Sequence, residues 1–234
     1  MKTDQFEKLS YTMSDSQLGC RATNSNPCNQ GAGMSTAPAT ATMYANCMEE
    51  VKRRTGIVSA IASGQLQVPG SDDYPIELAC VQLRKSLELI AFASVTTNSE
   101  KYSAAYADFA QHWNAKRLLK NLAKLHPAFY PVPVKDLGMK DGSRHVEPIK
   151  DGYLTQEDFI LLYDRSSEVM HARNPFRTDS AIIDFKHSFG DWVKRIQTLL
   201  NIHYVQPVDS KSIWLVIMTD PSDGNPHVFI ADRK

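Results

Sequence analysis

Arg165 and His171 stand six positions apart in the stretch YDRSSEVMHARNPF, residues 163–176. An imidazole can carry a proton to or from a reacting oxygen, and a guanidinium can neutralise charge building on a phosphoryl group. Arg173 and Asn174 follow the histidine and add a cation and an amide suited to holding a phosphate. The spacing alone carries no weight: in a chain with this many arginines and histidines, one such separation arises by accident about once. On an unbroken helix, residues six apart lie on opposed flanks, so the pair converges only where the helix ends. Asn174-Pro175 supplies such an end, because the residue before proline is pushed out of helical geometry. A histidine there faces the negative end of the helix dipole.

Other chemistries find less support. The chain has no glycine-rich phosphate loop, no G-x-S-x-G elbow and no H-E-x-x-H helix. Cys20, Cys28, Cys47 and Cys80 are widely spaced, which reads as free thiols rather than a zinc site or a disulfide framework. His112, His126, His145, His187, His203 and His227 are read as structural or exposed, without carboxylate or thiol partners at useful spacing. No metal ligands and no cofactor are therefore expected. Lys116, Lys120 and Lys124 recur at helical spacing with Arg117 beside them, as a solvated face or a rail for a nucleic-acid backbone.

The elements that must position the pair come from hydrophobic patterning. The 234 residues are 42% hydrophobic and 22% charged, enough for one sizeable core. Lysine plus arginine equals aspartate plus glutamate at 26 each, so the basic excess of a non-specific nucleic-acid binder is absent. Residues 1–42 read as a disordered leader, since 10–42 are rich in Ser, Thr, Asn, Gly, Ala and Pro. Met34 is an alternative start. Apolar stripes predict helices over 43–63, 75–95, 100–126, 155–174 and 179–201. Pro75 suits a first helical turn, and Thr155 with Asp158 forms a capping-box variant. The prolines of HPAFYPVPV stop the third helix.

A β-hairpin insertion is predicted near 134–149 around Asp141-Gly142, and 202–234 reads as an antiparallel β-meander packed on the bundle. The expected architecture is mainly α: an antiparallel bundle of about five helices over 43–201 with these small β-appendages. The longest apolar run, IWLVIM at 213–218, is too short to span a bilayer, and MKTDQFEKLS has no signal-like core. A cytoplasmic location without membrane contact is the resulting expectation.

ELACVQLRKSLELI, followed by LLYDRSSEVMHARNPF in a helical bundle, resembles the HEPN domain family over roughly 75–201. The family motif is an Arg, four to six residues, then a His; here it falls on Arg165 and His171. The resemblance implies a metal-independent endoribonuclease that cleaves single-stranded RNA. Two domains of a homodimer bring their pairs into one cleft, and the ribose 2′-OH attacks the adjacent phosphate. His171 would move the proton and Arg165 would stabilise the phosphoryl charge; Arg173 and Asn174 either contact the phosphate or cap the helix and shape the turn. Apart from the resemblance, Glu77, Arg84 and Glu88 form a polar stripe on the second helix: Glu77 either orients the motif arginine or is simply solvated, and Arg84 with Glu88 reads as an ordinary i,i+4 pair. Ser166 stands where many active members carry Asn, Asp or His.

The family implies a toxin or defence setting and an antitoxin or other regulatory partner. Two alternatives stay open: a non-catalytic HEPN-like binding or scaffold module, and an unrelated helical protein in which Arg165 pairs with Glu168 or Asp164 and His171 only caps.

Overall fold

The computed structural model describes residues 9–12, 39–97, 115–140, 143–172, 184–208 and 210–233. In chain order their elements are β1 (Leu9–Thr12), α1 (Ala39–Ala62), α2 (Asp73–Thr96), α3 (Ala115–Leu125), β2 (Val132–Lys140) and β3 (Ser143–Pro148). There follow α4 (Gln156–Val169), α5 (Phe189–Leu200), β4 (Ile202–Val205), β5 (Ser212–Ile217) and β6 (His227–Arg233).

This is an α/β fold, not the mainly α bundle expected from the helical stripes. The hairpin and the meander are parts of one sheet. Val132 pairs with Tyr204 and Pro133 with His203, which joins β2 to β4 and orders five antiparallel strands as β3-β2-β4-β5-β6. That sheet curls until β1 pairs with both of its edges, β3 and β6, and closes a barrel. The error in the helical reading is physical. Strands this short carry no periodicity that names their partner, and pairing across some seventy positions leaves no local trace.

β5 shows why the sheet cannot be an appendage. Ile213, Leu215 and Ile217 meet Val134, Val146, Phe229 and Ala231 in the barrel interior. Trp214 and Val216, on the other face, join the core formed with the helices. Both faces are buried, which accounts for the unbroken apolar run of IWLVIM.

On the helical side, Tyr44, Met48 and Val51 of α1 pack with Leu83, Leu87 and Ile90 of α2, and with Phe159 and Leu162 of α4. Trp192, Ile196 and Leu199 of α5 complete this layer. Two helix starts follow the sequence chemistry. The Asp158 amide donates to Thr155 Oγ1 at 3.1 Å, and the Asp191 amide donates to Ser188 Oγ at 3.1 Å.

The boundaries differ from expectation at several places. α1 begins at Ala39, so the last residues of the expected leader are its first turn. Leu9–Thr12, also assigned to the leader, form β1; the rest of it lies outside the described residues. α5 starts at Phe189 rather than near 179, because Lys186 has φ 63° and Ser188 is extended as the N-cap. The Asp141-Gly142 turn and the predicted helical segment 100–114 fall outside the described residues. Among the described residues, no helix is long and apolar enough to cross a membrane.

Candidate functional site

α4 carries the Arg/His pair, and its length decides their geometry. The helix ends at Val169, with Met170 as C-cap, so it stops before the proline rather than at it. Arg165 sits in the last full turn and His171 two residues past the end, its amide donating to the Glu168 carbonyl at 3.4 Å. His171 is exposed. The Arg165 guanidinium reaches both oxygens of Glu168 at 3.1 Å through Nη1, while its Nε is buried without a hydrogen-bond partner. Of the two carboxylates weighed for Arg165, Glu168 is the one engaged; Asp164 instead accepts from Lys116 Nζ of α3 at 2.6 Å.

The supporting residues fall elsewhere. Glu77 is exposed near the start of α2. Ser166 is fully buried and faces Cys80 of α2. Burial pushes the Cys80 thiol up to about 12, with the Ser166 hydroxyl pulling weakly the other way. The serine after the motif arginine thus belongs to the interior between two helices. Arg173 and Asn174 lie outside the described residues.

One turn away, α2 and α4 are joined by a polar cluster. Arg84 Nη2 donates to the Tyr163 hydroxyl at 2.7 Å, Nη1 to Ser167 Oγ, and Nε to Glu88 Oε1 at 3.2 Å. The guanidinium carbon also stands 4.2 Å from the Tyr163 ring centroid. The Arg84–Glu88 pair expected one turn apart is present, and its reach into α4 makes it an interhelical clamp. Burial raises the Tyr163 phenol above its ordinary range, against the pull of Arg84.

Compared with family models, with curated proteins and with solved structures, the chain finds no match. The reading of α4 therefore stands on its own residues.

A second constellation went unseen in the sequence. His227, read there as lacking a carboxylate partner, has its Nε2 at 3.0 and 3.1 Å from the two oxygens of Asp223. Its Nδ1 lies 4.0 Å from Oδ2 of Asp220. Asp220, Asp223 and His227 place one candidate ligand atom each within 4.8 Å of one another. The available signal was the separation of four between Asp223 and His227, in a turn punctuated by Pro221, Gly224 and Pro226.

Proposed function

We propose that this chain is a metal-independent endoribonuclease of HEPN type, acting in the cytoplasm as a homodimer in a toxin or defence setting. It would cleave single-stranded RNA by 2′-OH attack. The observation that carries the reading is the shared position of Arg165 and His171 at the C-terminal end of α4. The arginine side chain is 36% exposed, and the histidine is held by a backbone contact rather than by the core. Within one chain the Arg165 side chain is engaged by Glu168, while the His171 side chain is exposed. The reading therefore requires a second copy to present its own pair across the same groove, where the guanidinium would exchange Glu168 for a phosphoryl oxygen.

The test is cleavage of a single-stranded RNA in EDTA by wild type, His171→Ala and Arg165→Ala, with the products checked for cyclic phosphate and 5′-hydroxyl ends. Activity lost in both variants supports the proposal; equal background in all three refutes it.

A non-catalytic binding module is the second reading, favoured by the bidentate hold of Glu168 on Arg165 and by the burial of Ser166. In that case Arg165→Ala changes self-association in sedimentation, and no RNA product forms under any condition.

A further inference from the structure

The turn joining β5 to β6 runs through Asp220-Pro-Ser-Asp223-Gly-Asn-Pro-His227. Asp220 anchors it. Its Oδ1 accepts from the Ser222 amide at 2.9 Å and the Ser222 hydroxyl at 2.5 Å, and its carbonyl accepts from the Gly224 amide at 2.8 Å. These bonds hold Oδ1 within the turn, while Oδ2 lies toward the His227 ring.

His227 is 1% exposed. Its Nε2 contacts both Asp223 oxygens, so that nitrogen carries a proton and, in the neutral ring, Nδ1 offers its lone pair. Nδ1 is buried without a hydrogen-bond partner. At 4.0 Å its separation from Asp220 Oδ2 is too long for a hydrogen bond. Two ligands on one ion with bonds near 2.1 Å stand roughly 3.4 Å apart in tetrahedral geometry. An ion between them therefore needs only a small inward movement of the turn. Left alone, a bare buried nitrogen facing a carboxylate oxygen is an arrangement that proteins seldom retain.

We propose that this turn binds a divalent first-row transition-metal ion through Nδ1 of His227 and Oδ2 of Asp220, with Asp223 holding the ring from behind. A carboxylate that takes the second N–H of a ligating histidine fixes its tautomer and raises its basicity. Asp223 is fit for that part. The Asn225 amide donates to its Oδ1 at 2.9 Å, which sets the carboxylate behind the ring. One imidazole with carboxylate oxygen suits Mn²⁺, Co²⁺ or Zn²⁺ better than Cu⁺, which seeks sulfur. Water completes the coordination, entering past the exposed residues Pro221, Ser222 and Asp223. The ion would tie the end of β5 to the start of β6. The same turn is also held by α1, because Lys52 Nζ donates to the Gly224 carbonyl at 2.5 Å. Its role is structural, and the inference does not depend on the reading of Arg165 and His171.

The probe is Mn²⁺, for which thiols compete poorly. It is titrated into the EDTA-stripped, dialysed full chain and followed by electron paramagnetic resonance and thermal melting. One equivalent bound with a raised melting temperature is expected. Asp220→Asn keeps the Ser222 hydrogen bonds yet should abolish binding, as should His227→Gln. Asp223→Asn should weaken binding by about ten- to a hundredfold. No bound Mn²⁺ in wild type, or binding unchanged in Asp220→Asn, overturns the proposal. Circular dichroism checks that each variant is folded. RNA cleavage in EDTA tests the other site separately.

Discussion

Tyr44 of α1 and His203 of β4 meet at 2.7 Å between hydroxyl and Nε2, and neither side chain is exposed to solvent. His203 Nδ1 donates to the Leu200 carbonyl at 2.7 Å, so Nε2 is the acceptor and the tyrosine donates. Tyr44 also stands edge-on to Trp214 of β5 at 6.2 Å. One hydrogen bond thus joins the helical layer to the barrel in a dry place.

That contact predicts an acid-sensitive fold. Burial lowers His203 to about 4, with the Leu200 carbonyl only partly opposing it. The native ring stays neutral while the unfolded one, with an ordinary value near 6.5, gains a proton first. Stability is therefore fully present above about pH 6.5 and falls as pH drops toward 4, by on the order of 3 kcal/mol. Denaturant melts across this range measure it; His203→Gln should flatten the slope attributable to this group.

Removing the tyrosine hydroxyl isolates the bond itself. Tyr44→Phe leaves the packing against Trp214 and strips His203 Nε2 of its donor, costing about 1–2 kcal/mol in urea unfolding. A cost near zero would mean that the layers are held by packing alone.

Asp158 is a second fixed point. Its buried carboxylate takes Lys186 Nζ at 2.8 Å and Arg195 Nη1 at 3.2 Å, joining the start of α4 to α5 and the segment before it. Asp158→Ala leaves the partly buried Arg195 without its carboxylate and should destabilise by about 3 kcal/mol. Thr155→Ala, which removes only the cap of the same helix, should cost about 1 kcal/mol.

Ser166 separates fold from chemistry on α4. Because its side chain faces Cys80, Ser166→Ala should leave stability within about 1 kcal/mol and leave any Arg165-dependent RNA cleavage unchanged. Ser166→Asn overpacks the α2–α4 contact and should lower stability by about 1–3 kcal/mol. Melting curves and cleavage assays on the two variants distinguish these outcomes.

The parts of this molecule open to reading in sequence are those governed by neighbours a few residues away. In the second predicted helix, the stripe of Ile76, Cys80, Leu83, Leu87, Ile90 and Ala91 lies in the core except for Ile76, which is exposed, and Thr155 caps as its chemistry requires. The start of α5 was placed too early, because Lys186 takes φ 63° and Ser188 caps the helix just before Phe189. The pairing of Val132 with Tyr204 was hidden for a different reason: alternation gives a strand its faces but not its partner. His227 was passed over because its segment is not helical and no periodicity points to Asp223; a proline-rich turn folds that carboxylate back onto the ring.

Barrel closure has a consequence for how the chain reaches this state. β2 and β3 are consecutive, as are β4, β5 and β6, so most ladders assemble between close neighbours in sequence. Leu9 must instead find Val146 across more than half of the chain, and Tyr11 must find Arg233 across nearly all of it. Contacts of such high order bring their stabilisation only after a large loop-closure entropy has been overcome. The final seam is thus the last part of the sheet to form and the first to open. In native-state hydrogen exchange, the amides that join β1 to β3 and β6 should be lost well before those that join β5 to β4.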